Sequence, residues 1–476
     1  MEALVYEAVA GRLAAAIDDG TYAPGDRLPS VRALARREGV SPMTALRALE
    51  LLADRGLSEA RPRSGHFVTL RGHPAVLRQA TATAAQATLV SIAGLAAEIL
   101  GTSRDRRLLP LGDGVPGADL PPLAALARAH GRVLRQQGAT AFTAYGDPRG
   151  EPALRKAIAR IMAEEAAAAV SPEDIVVTNG CAEALDLALT VTTRPGDVVA
   201  IESPSYFGTL QALEAQGLKA LPIATDPRRG LDLDALAAAL AAGGVAAVVV
   251  MPAVHNPLGC AMDAAARARL LDLCRRAAVP LIEDDTFGPL SFATPRPPAV
   301  KAADLAGDVL YCGAFSKTVA PALRLGWIAA GRWPEAVARQ KMLRTLASPT
   351  PAQLALAEVV ADGRHARIAR RAARTYRRRL ALAAEAVARH FPPGTEVSQP
   401  AGGFMLWVRL PPGGDGLALY RAARAAGIGV APGSLFAPGG EGARCLRISV
   451  GVLDGAALRD AVARLGALAR QSGNTG

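Results

Sequence analysis

Polar side chains that could act on one ligand follow several β-rich runs between residues 175 and 317. Each of these runs is followed directly by a lysine, a carboxyl pair, an asparagine, a tyrosine or a glycine turn into a helix. Ligands of open α/β sheets bind beyond the carboxyl ends of the strands, so we expect these groups to converge at one edge. They lie at residues 179–182, 203–206, 255–259, 283–285 and 315–317, with Arg324 seven residues after Lys317.

Pyridoxal 5'-phosphate is the cofactor whose functional groups match this set. It presents an aldehyde to a lysine, a ring nitrogen to a carboxylate, a 3'-oxygen to a polar donor, and a phosphate to backbone amides and arginine. A glycine turn that opens a helix offers free amides to such an anion. The block 316–327, from Ser316 to Trp327, resembles the Schiff-base segment of class I aminotransferases of fold type I.

The resemblance implies a role for each residue. Lys317 would form the internal aldimine, and Asp284 would pair with the protonated ring nitrogen, with Asp285 left open as the alternative carboxylate. Asn256 would hydrogen-bond the 3'-oxygen unless it is only a turn residue, and Tyr206 would stack on the ring unless it only packs. The cofactor phosphate is expected to contact Gly180, Cys181, Ala182 and Arg324. Tyr145 would reach the phosphate of the cofactor in the neighbouring subunit, and Arg447 would bind the carboxylate of the substrate.

Two positions depart from the pattern that the resemblance implies. Phe287 stands where the family commonly has a tyrosine that contacts the 3'-oxygen, and Ala314 stands where a phosphate-binding serine is usual. The loss of these two hydroxyl groups is expected to weaken or retune cofactor binding. The absence of both hydroxyl groups also favours a regulatory role over efficient transamination.

Short β-rich runs alternate with longer amphipathic stretches from about residue 105 onward. This alternation predicts a mainly parallel sheet with helices on both faces. The predicted strands are 175–178, 198–202, 219–223, 246–251, 279–284, 308–312 and 325–330, and helices are predicted at 182–193, 231–241 and 262–277. We therefore expect an α/β fold type I domain at 91–355, followed by a smaller C-terminal α/β subdomain at 356–476.

Residues 1–70 predict a compact, mainly helical unit that ends in a basic hairpin. Ser30 and the Ser41-Pro42 pair are expected to begin the second and third helices, and the hairpin is expected over 57–68. This layout is that of a winged helix-turn-helix. Residues 24–30 resemble the entry to the second helix in GntR regulators, and a linker is expected at 71–90. The whole chain resembles the MocR/GabR-type subgroup of GntR transcriptional regulators.

The positions of the arginines, rather than the net charge, support DNA binding by this unit, because its nine arginines are balanced by nine acidic residues. Arginine and Ser/Thr side chains contact phosphates, and the third helix of such a unit reads the major groove. The predicted contacts to a double-stranded operator are Arg27, Ser30, Arg32, Ser41, Thr44, Arg47, Arg61 and Arg63.

A second arginine-rich stretch, 364–379, holds eight arginines. An ordinary solvated helix is the simpler interpretation. The alternative is a patch that supports bent or wrapped DNA.

The composition limits the class of protein and the kinds of site that the chain can form. The 476 residues are 50% hydrophobic and 20% charged, which is typical of a folded globular protein. The five cysteines contain no CxxC pair, so neither a metal site nor a disulfide framework is predicted, and a reducing cytoplasm is expected. No signal peptide and no apolar run long enough to cross a membrane is expected. A homodimer is implied by the resemblance alone.

Three functions remain open from the sequence. The first is a regulator in which an amino compound forms an external aldimine at Lys317 and alters DNA binding. The second is a working aminotransferase with a DNA-binding domain of minor importance. The third is an operator-binding protein whose large domain only dimerises, and the presence of Lys317, Asp284, Asn256 and Arg447 disfavours it.

Overall fold

The computed structural model describes residues 5–18, 21–22, 25–54, 57–61, 64–68, 75–78, 86–102, 105, 107–437 and 439–472. The N-terminal unit consists of α1 (Val5–Asp18), α2 (Val31–Glu38), α3 (Pro42–Asp54) and an antiparallel hairpin of β1 (Ser58–Arg61) and β2 (Gly65–Val68). The amide of Ala33 donates to the Ser30 hydroxyl at the start of α2, and Gly39 ends that helix with φ +66°. The three predicted helices and the hairpin are confirmed. Their core contains Val9, Leu13, Leu34, Leu49 and Leu52.

Part of the predicted linker 71–90 lies outside the described residues. Its described parts form two short strands, β3 (Ala75–Val76) and β4 (Thr88–Leu89). They are followed by α4 (Ala93–Thr102) and β5 (Leu109–Pro110).

The large domain is built around one sheet with helices packed against both faces. Its elements are α5 (Leu123–Gln137), α6 (Thr140–Thr143), α7 (Pro152–Ala166), β6 (Ile175–Thr178), α8 (Cys181–Thr192), β7 (Val198–Ser203), α9 (Phe207–Ala215), β8 (Lys219–Asp226), β9 (Gly230–Leu231), α10 (Leu233–Ala241), β10 (Val245–Val250), α11 (Ala264–Arg276), β11 (Leu281–Asp284), β12 (Val309–Ala314), β13 (Gly326–Ala329), α12 (Pro334–Thr345) and α13 (Thr350–Val360).

The strand order in this sheet is β4-β8-β7-β10-β11-β12-β13-β6, with β9 paired to β8. The five strands from β8 to β12 run parallel, whereas β13 is antiparallel to both β12 and β6. Strands covered on both faces read as continuous apolar runs, as in the Val248–Val250 part of β10. The predicted mostly parallel sheet is confirmed.

The C-terminal part begins with the long helix α14 (Arg364–His390). It continues through β14 (Glu396–Val397), β15 (Met405–Arg409), α15 (Gly416–Ala425), β16 (Ile428–Gly429), β17 (Ala431–Pro432), β18 (Cys445–Ser449) and α16 (Gly455–Ser472). Its sheet has the order β17-β18-β15-β14-β3, so the predicted linker segment supplies the edge strand. Ala96, Ile99, Leu111 and Leu120 share the hydrophobic core of this subdomain. Hydrophobic packing thus joins α4 and β5 to the C-terminal core, although the predicted boundaries assign both elements to the large domain at 91–355.

Within the described residues, no helix combines the length and the apolar character needed to cross a bilayer. The parallel strands β7, β10, β11 and β12 all point their carboxyl ends toward the same edge of the large sheet. That edge carries the candidate site.

Candidate active site and DNA-binding surface

Lys317 follows β12 and lies half-buried at the carboxyl edge of the sheet. Its Nζ donates a hydrogen bond to the carbonyl oxygen of Gly114 at 2.6 Å and lies 5.6 Å from the centre of the Phe287 ring. Burial, together with the nearby Arg447 cation, lowers the pKa of Lys317 to about 8. A lysine with a lowered pKa has a larger neutral fraction near pH 7, and the neutral amine is the nucleophile.

The other four lysines occupy positions that do not suit this role. Lys156 and Lys219 are exposed. Lys301 is ion-paired with Asp304 at 2.9 Å, and Lys341 with Glu183 at 2.7 Å. Lys317 is therefore the lysine placed to react with an aldehyde at the sheet edge.

The two neighbouring aspartates have different surroundings. Asp284 Oδ1 accepts hydrogen bonds from the Cys181 thiol at 3.5 Å and the Thr286 amide at 2.9 Å. Asp285 points elsewhere, because its Oδ2 accepts from Arg296 Nη2 at 2.7 Å and from the Tyr311 hydroxyl. Asp284 is thus the carboxylate that faces the site, whereas Asp285 is part of a buried ion pair.

Burial raises the pKa of Asp284, because a carboxylate removed from water is ionised readily only beside hydrogen-bond donors or a positive charge. A protonated ring nitrogen placed beside it would supply that charge. The contact with Cys181 also brings Asp284 to the start of α8. This geometry supports Asp284 as the partner of the ring nitrogen.

The start of α8 is shaped as an anion cradle. Gly180 adopts φ +85° at the N-cap, and the first-turn amides of a helix, here Cys181 and Ala182, have no partner inside the helix. Arg324 lies against this turn, with its Nη2 donating to the Asn179 carbonyl at 2.9 Å. Glycine suits position 180 because φ +85° is a conformation that other residues rarely adopt, and a Cβ there would also lie 2.5 Å from Arg324 Nη2 and displace the guanidinium. Gly180, Cys181, Ala182 and Arg324 meet as predicted.

Arg447 and Asn256 meet near Lys317. Arg447 Nη1 donates to Asn256 Oδ1 at 3.3 Å, and Nη2 donates to the Gly112 carbonyl at 2.7 Å. Arg447 is 3% exposed, and burial lowers its pKa to about 10. Its Nε is buried and has no hydrogen-bond partner within the described part of the chain. A carboxylate would satisfy both the charge and the planar donor geometry of this side chain.

Tyr206 lies in the same region. Burial raises the pKa of Tyr206 to about 12, with further effects from the nearby Asp284, Cys181 and Arg447. Its ring is half-buried and stands edge-on to Phe207, with 5.0 Å between the ring centres. One position of the predicted set stands apart, because Tyr145 is 89% exposed in the single chain and does not line the chain's own site.

The two departures from the expected pattern are also placed. Phe287 is 3% exposed, and its ring packs 5.3 Å from that of Phe404. Ala314 is buried at the end of β12. Phe287 is an apolar neighbour of Lys317, and both positions present buried apolar groups where hydroxyl groups were expected.

Several residues of the site escaped prediction from the sequence. The loop of Gly112, Asp113 and Gly114 supplies carbonyl oxygens to Arg447 and Lys317, and Asp113 adds a nearby negative charge to Arg447. A glycine-rich loop directly after a short strand was the available signal.

A buried pair also lies behind Asn256, with 3.4 Å between His255 Nε2 and Glu202 Oε2. Burial raises the pKa of Glu202 to about 8 and lowers that of His255 to about 3, so both are mostly uncharged at pH 7. Nothing in the spacing of the sequence indicated this pair.

These residues fit pyridoxal 5'-phosphate. The structure offers a nucleophilic amine at Lys317, a buried carboxylate at Asp284 and a glycine cradle with an arginine for the phosphate. When bound, the cofactor supplies an aldehyde that holds amino groups and a ring that withdraws electrons from them. Within the described residues, no group of three acidic, histidine or cysteine side chains is placed to hold a metal ion.

The predicted DNA contacts are hydroxyl side chains at the starts of α2 and α3 and arginine side chains of the N-terminal unit. The Ser30 and Ser41 hydroxyls cap α2 and α3, and Ser41 also contacts the Thr44 hydroxyl at 2.8 Å. Arg27, Arg32 and Arg47 are exposed, and Arg47 lies 5.7 Å from the Tyr6 ring. Arg61 ends strand β1, and Arg63 lies outside the described residues.

The arginine-rich stretch 364–379 lies on α14. Arg379 is buried against Asp119 and Arg378 is ion-paired with Asp454, so neither is free for a phosphate. The other six are exposed: Arg364, Arg367, Arg370, Arg371, Arg374 and Arg377. Most of them are spaced by three or four residues, with Arg370 and Arg371 adjacent, which places them along one side of the helix; we call them the α14 arginine row.

Comparison with known proteins agrees with this architecture. Residues 107–465 match the family "Aminotransferase class I and II", and residues 5–68 match "Bacterial regulatory proteins, gntR family". The chain is similar to the uncharacterized HTH-type transcriptional regulator YdcR of Escherichia coli K12, with 36% identity over 98% of this chain and 99% of that protein. It is also similar to YjiR of the same organism, another uncharacterized HTH-type transcriptional regulator, with 34% identity over 97% of this chain and 98% of that protein.

Among solved structures, LysN, an alpha-aminoadipate aminotransferase from Thermus thermophilus, was crystallised with N-(5'-phosphopyridoxyl)-L-leucine. It superposes with a TM-score of 0.73 and 30% identity over 79% of this chain and 94% of LysN. The predicted fold, cofactor and family are confirmed. The chain belongs to the MocR-type transcriptional regulators, in which a GntR helix-turn-helix domain is joined to a class I and II aminotransferase domain that takes pyridoxal 5'-phosphate.

Proposed function

We propose that this regulator senses an amino compound at Lys317 and changes its affinity for a DNA operator in response. The amino group of the effector would replace Lys317 on the cofactor, in keeping with the role expected for that lysine from the sequence. The observation that carries the proposal is the lowered pKa of Lys317, about 8, in a site that also holds Asp284 and Arg447. An amine that is neutral in an appreciable fraction of molecules can be exchanged readily for another amine.

The surrounding residues define what the effector carries. Arg447 is buried and retains an unpaired Nε, so a carboxylate on the effector would gain a charge-assisted hydrogen bond there. Tyr206 and Asn256 flank the same space and would orient the ring of the cofactor. The effector class that suits this site is an amino acid.

A change of DNA affinity requires that the effector bind two arrangements of the protein with different affinity. We assign the operator contacts to Arg27, Arg32, Arg47, Arg61 and Arg63, with Ser30, Ser41 and Thr44 at the starts of α2 and α3. The exposed positions of the first three support this assignment.

We further propose a homodimer that acts in the cytoplasm, where its DNA lies. The exposed Tyr145 supports the dimer, because a side chain 89% exposed in one chain is available to reach a phosphate in the partner's site. Five unpaired cysteines are consistent with a reducing compartment.

Binding of the full-length protein to its own promoter fragment tests the proposal. Fluorescence anisotropy of the labelled fragment is measured with and without each common amino acid, for the wild type and Lys317→Ala. The proposal expects one or more amino acids to shift the affinity of the wild type only. An equal shift in Lys317→Ala, or no shift with any amino compound, contradicts it.

A second candidate, catalytic transamination, is favoured by the complete set of Lys317, Asp284, Asn256 and Arg447 in one site. Phe287 and Ala314, which place apolar groups where hydroxyls were expected, favour the regulatory function instead. Formation of keto acid in excess of the protein concentration, from an amino acid and 2-oxoglutarate, would establish the enzyme. Conversion limited to one equivalent would support the regulator.

A further inference from the structure

A second cavity, distinct from the site at Lys317, lies between the end of α7, the loop 289–296 and the first turns of α14. Its volume is about 340 Å³, within the range of small-molecule sites. Its charged lining residues are Glu164 and Glu165 from α7, Arg296 from the loop and Arg370 from α14. We call it the α14 cavity.

One of these charged side chains has unused hydrogen-bonding capacity. The Arg296 side chain is only 9% exposed, and its Nη2 is held by Asp285 at 2.7 Å. Its Nη1 is buried and finds no acceptor in the portion of the chain that the structure describes. A buried donor without an acceptor costs free energy, and a ligand anion that reached it after a small shift of the side chain would recover that cost.

The α14 cavity carries charges of both signs. Two carboxylates and two guanidinium groups line one small space, so neither a simple anion nor a simple cation is favoured by the whole lining. A molecule with an ammonium group and a carboxylate satisfies both kinds of wall.

The carboxylate wall is connected to the site at Lys317. Glu165 Oε1 is 2.8 Å from His365 Nδ1, and His365 Nε2 is 3.0 Å from the Thr318 hydroxyl. His365 and Thr318 are 0% and 2% exposed, so the hydrogen bond between them is shielded from water, whereas Glu165 borders the cavity. Thr318 directly follows Lys317 along the backbone.

The guanidinium wall has a similar connection. Arg296 is bound to Asp285, which directly follows Asp284. Both the carboxylates and the guanidinium groups of the α14 cavity are therefore connected, through side-chain hydrogen bonds, to a residue adjacent to a cofactor-binding position.

We propose that the α14 cavity binds a small zwitterionic amino acid, with its carboxylate at Arg296 and Arg370 and its ammonium group at Glu164 and Glu165. Occupation of the cavity is relayed to Lys317 through His365 and Thr318. This second ligand site goes beyond the proposed function and depends on it only for the presence of the cofactor at Lys317.

The test uses the holoprotein after reduction with borohydride, which fixes the cofactor on Lys317 and blocks amine exchange there. Glycine, L-glutamate and L-lysine are titrated separately by calorimetry, with the fluorescence of the reduced cofactor followed in parallel. We expect saturable binding of at least one of them, weakened about tenfold or more by Glu164→Gln and by Arg370→Gln. Arg374→Gln, an exposed arginine of the same helix outside the cavity lining, is the matched control and should bind within about twofold of the wild type.

The relay is tested separately with His365→Asn. This variant should bind the amino acid but lose the fluorescence response, whereas the wild type shows both. Absence of saturable binding by all three amino acids overturns the proposal, as does equal affinity in all variants. Equal binding of acetate or methylamine also overturns it, because a single charge would then suffice.

Failure of borohydride to attach the cofactor to Lys317 would count against the proposed function instead. The calorimetric comparison of Glu164→Gln and Arg370→Gln with Arg374→Gln still decides the cavity proposal in that case.

Discussion

Replacement of Lys317 by methionine is expected to stabilise the cofactor-free protein at pH 7. Burial and the Arg447 cation lower the pKa of Lys317 from 10.5 to about 8. Each pKa unit corresponds to about 1.4 kcal/mol, so the buried ammonium group costs up to about 3 kcal/mol. Methionine has a similar length and no charge, but it loses the hydrogen bond to Gly114, worth about 1 kcal/mol. The expected net gain is about 2 kcal/mol.

The sign of the pH dependence makes this prediction specific. Below pH 8 both the folded and the unfolded states bind the proton, and the full cost of the charged amine is present. Between pH 8 and 10.5 the folded state loses its proton first, so the cost declines and is almost gone at pH 10.5.

Thermal unfolding of wild type and Lys317→Met is therefore compared at pH 7 and pH 10.5, with exposed Lys219→Met as the control. A variant that is less stable than the wild type at pH 7, or a gain that persists unchanged at pH 10.5, would refute the reasoning.

Three further predictions concern the site and the DNA surface. Asp284→Asn should weaken cofactor binding about tenfold or more in a fluorescence titration, whereas Asp285→Asn should chiefly lower the melting temperature, because it leaves Arg296 as a buried, unpaired charge. Arg447→Gln should weaken the spectral response to amino acids but not to simple amines, and an equal loss for both would exclude a carboxylate role. Neutralising Arg367, Arg370, Arg374 and Arg377 together should reduce the slope of log affinity against log salt by up to about 3.6, if the α14 arginine row contacts phosphates, and an unchanged slope removes that role.

Local patterns in the sequence predicted the N-terminal helices and the main strands of the large sheet, but not the short strands β3 and β4 within the expected linker. The run 175–178 forms β6 with the same bounds, because three buried apolar residues and the buried Thr178 lie between a proline turn on the N-terminal side and a glycine turn. Ser30 and Ser41 cap their helices as expected from their hydroxyl groups. The convergence of Lys317, Asp284, Asn256 and Arg324 followed from the rule that parallel strands end at one edge.

Contacts between distant parts of the chain could not be predicted in the same way. The antiparallel insertion of β13 between β12 and β6 depends on pairing across some 150 residues, which no local pattern encodes. The choice between Asp284 and Asp285 depended on Arg296 and Tyr311, whose approach is a tertiary event. The edge strand that residues Ala75–Val76 add to the C-terminal sheet has the same origin.

Mass mapping of the reduced holoprotein identifies the lysine that holds the cofactor. The protein purified with pyridoxal 5'-phosphate is treated with borohydride, digested, and searched for the lysine that carries the phosphopyridoxyl group. We expect the label on Lys317, with Lys156, Lys219, Lys301 and Lys341 unmodified. A label on another lysine, or a protein that retains no cofactor at all, would contradict it.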